Sequence, residues 1–280
     1  MLGFVTTVRH PLNSISYERV ERLLEATLRS VCRQSDPDFC VVVVHNQLPK
    51  VHVADNRVHF VQVGFPAPSE ERTAQIDFSA HLRDKGTKYA VGIATAQELG
   101  ADHIMFFDAD DLLHNGLAKW SNEHPGHAGW YSSTGFVHTL GTSHVQFVSS
   151  EFHRKNGSTS IVRLDLLGIP NGISRSLSQD DIVRQVGVHT IDEMMGRHGG
   201  WQDLLAPQGH FMEPLPFPAA IWEIGTGENH SGNLVSGRAA TRIDDQITED
   251  FGLTPPSFVS ATRQRLVVTA KRLLRRVRNK

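Results

Sequence analysis

The sequence predicts an α/β fold, in which helices flank a mostly parallel sheet. Two observations carry this prediction. Over the first 110 residues, short apolar runs typical of strands buried on both faces alternate with apolar positions at helical spacing. Polar or turn-forming residues follow each run, so that strand, helix and strand succeed one another as in βαβ units. A small antiparallel addition and a basic C-terminal helix complete the predicted fold.

The elements of the first half follow from these patterns in order. Residues 3–8 and 39–44 are apolar and rich in β-branched side chains, which predicts two buried strands. Between them, residues 16–31 carry apolar side chains at helical spacing. A short strand is expected at 58–63. A second long helix is expected at about 82–99, just before a glycine that suits a C-cap.

Beyond Leu113 the pattern becomes irregular. A helix through Trp120 is followed by three short strand-like pieces without helices between them, at 129–131, 135–139 and 144–148. Such pieces indicate a small antiparallel sheet. The remaining expectations are a short helix capped by Ser178, a second over 190–197, extended chain at 207–219, a glycine-rich loop at 225–233 and a cationic helix from about 260.

Composition places the chain among ordinary globular proteins and excludes some partners. Its 28 Lys and Arg against 30 Asp and Glu give a net charge of -2, which predicts no general attraction to nucleic acid. Cys32 and Cys40 are the only cysteines and lack metal-site or disulfide spacing, as expected in a reducing compartment. Because there is no basic leader and no apolar run long enough to span a bilayer, we expect a cytoplasmic protein.

The segment 104–113 carries the most chemical information, because apolar residues run directly into Asp108, Asp110 and Asp111. At the end of a strand in a parallel sheet, these carboxylates would lie at the edge where ligands bind. Carboxylates packed so closely repel one another, and oxygen ligands select hard divalent ions, so the pattern predicts a Mg²⁺ or Mn²⁺ site. The alternative is a strand end followed by the acidic first turn of a helix.

These residues resemble a known family. The run Phe-Phe-Asp-Ala-Asp-Asp-Leu-Leu at 106–113 is similar to the D-x-D signature of the GT-A-fold glycosyltransferases of family two, which move a sugar from a nucleotide-sugar donor with inversion. Residues 28–31 and 36–39, followed by a valine-rich strand, are similar to the framing segments of that family. The resemblance covers residues 3–120, and it implies a GT-A fold and a glycosyltransferase of the hexosyltransferase class.

Two segments depart from the family pattern. The second strand ends in His-Asn-Gln at 45–47, where the family usually has an acidic pair that contacts the base or ribose. The Arg-Asn pair common in the family's second helix is replaced by the segment 84–90, which is closer to a divergent, rhamnosyltransferase-like branch. The contacts to the donor are therefore expected to differ in detail from those of the family.

The resemblance implies a set of nucleotide-sugar contacts. Thr7 and Arg9 come at the end of the first strand, where the family holds the base. Asn46 is expected to bond the base edge. In the second helix, Asp84 and Lys88 are assigned to the nucleotide sugar, with Lys88 as the cation that pairs with the diphosphate.

The resemblance also implies a metal site with Mn²⁺ or Mg²⁺ as the cofactor. Asp110 would bind the ion, and Asp108 would reach the ribose or the ion through water. Related folds complete the ligand set with a histidine from a late loop, for which His230 is the candidate. Asp111 is assigned to the following helix, as its N-cap or as support for the ligands.

An inverting transfer needs a general base near the acceptor hydroxyl. The family takes this base from an acidic pair at a helix start after the D-x-D motif, and two places in the chain match. The first is Asp203, which follows a glycine pair and is favoured; the second is Asp192 with Glu193. Trp201 and Trp222 are candidates for stacking on sugar rings, although a tryptophan more often packs in the core.

Together these observations predict three regions: a nucleotide-sugar-binding half at 1–113, an acceptor-binding half of the same domain at 114–258, and a basic amphipathic helix at 259–280. The predicted function is metal-dependent, inverting sugar transfer to a glycan or lipid-linked acceptor in cell-envelope polysaccharide synthesis. The basic helix predicts peripheral contact with the inner face of the membrane. Two alternatives stay open: a nucleotidyltransferase of similar fold, and a non-catalytic carbohydrate-binding protein.

Overall fold

The computed structural model describes residues 1–71, 77–197, 200–228 and 240–255. Within these ranges the α-helices are α1 (Tyr17–Val31), α2 (Phe78–Glu98), α3 (Leu117–Glu123), α4 (Gln179–Val186), α5 (Trp201–Leu205) and α6 (Asp245–Phe251). The strands are β1 (Leu2–Thr7), β2 (Phe39–His45), β3 (Val58–Gln62), β4 (His103–Phe106), β5 (Leu112–Leu113), β6 (Gly129–Tyr131), β7 (Gly135–Thr139), β8 (His144–Val148), β9 (Ser160–Arg163), β10 (Glu213–Pro214), β11 (Ala220–Ile224) and β12 (Ala240–Arg242).

A seven-stranded sheet in the order β10-β6-β9-β4-β1-β2-β3 forms the centre of the described protein. The pairs on both sides of β1 are parallel, and only β9 runs against its neighbours β4 and β6. The strands β1, β2 and β4 are buried almost throughout, as their apolar sequences require. The predicted fold class, α/β with a mostly parallel sheet flanked by helices, is confirmed.

Helices cover both faces of this sheet because successive strand residues point to opposite sides. On one face, Val5 and Val42 pack in the same core as Tyr89 and Ile93 of α2. On the other face, Phe4 and Val41 of the same strands pack in a second core with Leu24 and Leu28 of α1. Burying each such large apolar side chain stabilises the fold by about 2 kcal/mol, so the two helices fix the sheet from both sides.

A smaller sheet in the order β12-β8-β7-β11-β5 packs beside the first, and all but one of its pairs are antiparallel. The predicted antiparallel addition is therefore present, with one correction: β6, which was expected in it, belongs to the large sheet. The interior strand β9 was not predicted, because only Ile161 and Val162 of its four residues are apolar.

Helix α2 approaches the short helical segment Thr190–Met195 unusually closely. It begins at Phe78, four residues before the predicted start, and Asp77 caps it by accepting from the backbone N–H of Ser79 and of Ala80. At Gly86 a Cβ atom would lie 2.0 Å from the carbonyl oxygen of Ile191. Only a residue without a side chain therefore allows these two elements to pack as they do.

The predicted basic helix at 259–280 lies outside the described residues. In the part of the chain that the structure does describe, no helix combines the length and the apolar character needed to cross a bilayer.

Candidate functional site

The candidate site lies at the carboxyl edge of the large sheet, where the strand order reverses. The chain runs from β1 outward through β2 and β3, and then returns to the other side of β1 as β4. Thr7 ends β1, and Asp108 follows the end of β4 by two residues. The crevice beyond such a switch point is the usual ligand site of an open parallel sheet.

Two connected cavities open at this edge. The first, called here the enclosed cavity, has a volume of about 100 Å³. It is lined by residues of β1, α1, α2 and the segment 108–111, called here the acidic loop. The second, called the wide cleft, has a volume of about 890 Å³. Six residues line both: Arg9, His81, Lys85, Asp108, Asp110 and Glu228. The acidic loop therefore forms a floor that is common to both cavities.

The carboxylates of this floor are only partly neutralised by the protein. Lys85 Nζ donates to Asp108 Oδ1 at 2.6 Å. Burial, and next the Asp108 carboxylate, raise the pKa of Asp110 to about 7, although Lys85 and Arg9 act in the opposite direction. A cation bound beside these two carboxylates would favour their ionised forms and lower this pKa.

Asp111 does not cap the following helix, and this part of its assignment is wrong. α3 begins only at Leu117, after Gly116. The Asp111 side chain is instead buried and accepts hydrogen bonds from Asn156 Nδ2 at 2.7 Å and Ser158 Oγ at 2.6 Å. Burial raises its pKa well above the usual value for aspartate, and Asp110 contributes next.

The lysine that reaches the cavities is Lys85, one turn before the predicted Lys88. Lys88 is 0% exposed, and its Nζ donates to Asp84 Oδ2 at 2.7 Å and to the carbonyl of Val8 at 3.0 Å. It lies among the buried groups beneath the cavity, whereas Lys85 lines both openings. Sequence spacing placed a cation on this helix, but it could not tell which turn faces the ligand.

Arg9 is held by a residue that the sequence did not single out. Its Nη1 donates to Glu228 Oε2 at 3.4 Å, and burial lowers the pKa of the guanidinium despite Glu228 and Asp110. Glu228 also accepts from the backbone N–H of Ile15 at 3.1 Å and of Ser16 at 2.8 Å, just before α1 begins. The glutamate thus joins the start of the glycine-rich loop to the end of β1. His230 falls outside the described residues.

The other predicted donor contacts separate into two groups. Thr7 and Asp84 line the enclosed cavity. Asp84 Oδ1 is buried and has no hydrogen-bond partner among the described residues, so a ligand donor could complete it. Asn46 does not line either cavity; its Nδ2 donates to the carbonyl of Phe65 at 2.9 Å.

The three candidate general bases also differ in position. Asp203 and Glu193 line the wide cleft. Glu193 Oε2 accepts from Arg197 Nε at 2.6 Å. The carboxylate of Asp203 instead interacts electrostatically with the side chain of His153, which lines the same cleft. Asp192 is held away from the cleft, because Arg83 donates to both of its oxygens at 2.8 Å.

The two tryptophans that were predicted to stack on sugar rings have different environments. Trp201 is 0% exposed and stacks on Phe106 with ring centroids 5.5 Å apart, so it belongs to the core. Trp222 lines the wide cleft and remains available to a ligand there.

The acidic floor fits a divalent ion of the magnesium type. Among the described residues no three His, Cys, Asp or Glu side chains converge on one point, so an ion held entirely by protein side chains is not built here. Mg²⁺, however, commonly takes one or two carboxylates and completes its shell with water and substrate phosphates. Asp108 and Asp110, which line both cavities, supply that number.

Comparison with known proteins gives little further information. No protein-family model matches the chain, and no curated protein matches its sequence. The crystal structure of S. aureus TarS aligns with a TM-score of 0.38 and 12% identity, over 81% of this chain and 37% of TarS. The crystal structure of S. aureus TarS 1–349 in complex with UDP-GlcNAc aligns with a TM-score of 0.39 and 12% identity, over 79% of this chain and 58% of that one. The chain spans less than two thirds of both, and likenesses this distant assign no activity.

Proposed function

We propose that the protein is a glycosyltransferase that moves a sugar from a nucleoside-diphosphate donor to a glycan or lipid-linked acceptor. The observation that carries the proposal is the pair Asp108 and Asp110. It lies at the switch point of a parallel sheet, on the floor between a small enclosed cavity and a wide cleft. Two connected cavities that share an acidic floor suit a reaction with two substrates, in which a leaving diphosphate must be stabilised between them.

The donor belongs in the enclosed cavity. Thr7, Asn13 and the apolar side chains of Val20 and Leu23 provide walls for a base or ribose. The unpartnered Asp84 Oδ1 would accept a hydrogen bond from a ligand hydroxyl or N–H group. Asn46, assigned to the base edge, does not line this cavity, and its Nδ2 donates to the carbonyl of Phe65.

The phosphates belong at the floor. Lys85 and Arg9 line both cavities and would pair with the diphosphate oxygens. Asp108 and Asp110 would hold Mg²⁺ or Mn²⁺, which when bound supplies positive charge to the departing diphosphate. Lys85 Nζ lies 2.6 Å from Asp108 Oδ1. From this position beside the proposed metal ligands, Lys85 would help to orient the same diphosphate.

The acceptor belongs in the wide cleft. For an inverting transfer, Asp203 is the favoured general base and Glu193 the alternative, because both line this cleft and a base must reach the acceptor hydroxyl. Trp222 offers an apolar ring face to a sugar. On this assignment the residues up to 113 bind the donor, and residues 114–258 add the acceptor side.

The proposed cell-envelope role and membrane contact rest on the sequence of the basic segment 263–280. Eight Lys and Arg residues lie between 263 and 280, and such a cationic segment is attracted to anionic lipid headgroups. We propose a cytoplasmic protein that attaches peripherally through this segment. Deleting residues 263–280 should reduce co-sedimentation with vesicles that contain phosphatidylserine, and unchanged sedimentation would reject the membrane contact.

Calorimetry of nucleoside diphosphates tests the proposed function. We expect the wild-type protein to bind UDP or GDP with Mn²⁺ or Mg²⁺ present and far more weakly in EDTA. Asp110→Asn should abolish the dependence on the ion. Asp245→Asn, at an exposed position in the first turn of α6, should retain it.

The possible calorimetry results distinguish between the proposed functions. Binding that is independent of the ion would reject the role of Asp110, and no binding of any nucleoside diphosphate would reject the donor site. Ion-dependent binding without hydrolysis or transfer of any nucleotide sugar would favour a non-catalytic carbohydrate-binding protein.

A further inference from the structure

The Ser158 hydroxyl occupies a junction beneath the acidic floor. It accepts a hydrogen bond from the backbone N–H of Asp108 at 2.9 Å and donates one to Asp111 Oδ2 at 2.6 Å. One hydroxyl thus connects the first and the last carboxylate residue of the acidic loop. The side chain is 0% exposed, so water does not compete for these bonds.

Asp111 is the second part of this junction. Besides Ser158, its carboxylate accepts from Asn156 Nδ2 at 2.7 Å and from the backbone N–H of Glu223 at 3.2 Å. Asn156 in turn accepts from the backbone N–H of Ser158 at 2.8 Å. Three separate segments of the chain therefore converge on one buried carboxylate: the acidic loop, residues 156–158 and β11.

We propose that Ser158 is a positioning residue for the sugar transfer, and that it acts by fixing the backbone on which Asp108 and Asp110 stand. The inference rests on the proposed function. Two carboxylates that repel each other would spread apart unless their backbone is held, and a displacement of about 1 Å at such a site is enough to lower a rate about a hundredfold. Ser158 touches neither reacting group, so its effect passes through the loop.

The same junction gives the acceptor side a mechanical link to the floor. Asn156 and Gly157 line the wide cleft, and Asn156 is also bonded to Asp111. A shift of this turn when an acceptor enters would be transmitted through Ser158 to Asp108.

The test compares Ser158→Ala with Ser121→Ala. Ser121 is also buried, at 1% exposure, but its hydroxyl has no hydrogen-bond partner among the described residues, so its loss leaves the floor intact. We expect Ser158→Ala to lower kcat for sugar transfer by about tenfold. The affinity for Mn²⁺, measured by calorimetry in the presence of UDP, should also fall by about tenfold. Ser121→Ala should match the wild-type protein in both quantities.

Asn156→Ala provides a second variant, because it removes one donor to Asp111 and the acceptor of the Ser158 N–H, but leaves both hydrogen bonds of the Ser158 hydroxyl in place. It should change the same two quantities in the same direction, but less. A Ser158→Ala protein with a lowered melting temperature and unchanged kcat and Mn²⁺ affinity would overturn the inference, because the hydroxyl would then act on stability alone. If the wild-type protein shows no ion-dependent binding, the proposed function fails, and the role of Ser158 fails with it.

Discussion

The enclosed cavity and the wide cleft share a floor but are built differently. The enclosed cavity is walled mainly by the end of β1, the loop after β4 and the long helices α1 and α2, with smaller contributions from residues 9–13, Pro68 and Glu228. The far walls of the wide cleft come from short segments, including the turn at 153–157, the helical piece at 190–197 and the start of α5. Sites on regular elements are held more precisely than sites on loops. On the proposed function, the donor would therefore occupy the more rigid region, and the acceptor would occupy the region that can vary with the substrate.

Asp203→Asn should separate the two regions most sharply. Loss of a general base typically lowers turnover by about 10²- to 10⁴-fold. Because Asp203 lines the wide cleft and not the enclosed cavity, binding of a nucleoside diphosphate should stay unchanged. Single-turnover transfer and calorimetry on the same preparation would measure both effects.

Full activity in the Asp203→Asn protein would exclude this residue as the base. Glu193→Gln would then be the variant to compare, since Glu193 lines the same cleft. A loss of diphosphate binding in Asp203→Asn would contradict the division of the site into a donor and an acceptor cavity.

Lys85→Met should have the next largest effect, on donor binding. A charge-assisted hydrogen bond is worth about 2 kcal/mol, so the affinity for a nucleoside diphosphate should fall about 30-fold relative to that for the nucleoside. Lys119→Met, at an exposed position on α3, is the matched control. Equal losses of diphosphate and nucleoside binding would show that Lys85 does not contact the phosphates.

His45 gives the smallest effect, on the pH dependence of stability. Burial, and next Lys88, lower the pKa of this histidine to about 4 in the folded protein, below its ordinary value of 6.5. When the pH falls below 6.5, His45 becomes protonated in the unfolded chain but stays neutral in the folded protein. Stability therefore decreases until the pH approaches 4. Between pH 7.5 and 5.5 this should lower the free energy of unfolding by about 1 kcal/mol.

Urea unfolding of His45→Gln at both pH values tests this expectation. The variant should lose that part of the pH dependence, while His144→Gln, which replaces an exposed histidine on β8, should keep it. Identical pH dependence in the wild-type and His45→Gln proteins would contradict the role of burial at this position.

The fold around the enclosed cavity could be predicted because its elements carry strong local patterns. The apolar runs of β1, β2 and β4 allow little but buried strands, and parallel strands bring their carboxyl ends to one edge. Thr7 and Asp108 were therefore expected to lie at the same edge, as they do. The predicted Ser16 and Ser178 helix starts are also confirmed, since each side chain caps its helix.

The rest depended on information that local patterns do not hold. Lys85 and Lys88 lie three residues apart on one helix, and only the packing of α2 decides which is buried. The side-chain partners of Asp111 come from 45 and 47 residues further along the chain, so no spacing rule connects them. β9 is recognisable only by its place between β4 and β6.

Gly86 sets the width of the wide cleft, although it does not line the cleft itself. The hydrogen atom at this position lets the segment Thr190–Met195, which carries Glu193, lie directly against α2. Any larger residue would displace that wall, so the residue at position 86 controls the size of ligand that the wide cleft admits. Gly64, where an added methyl group meets nothing within 4 Å, offers the comparison: Gly86→Ala should alter acceptor selectivity in a competition assay, and Gly64→Ala should leave it unchanged.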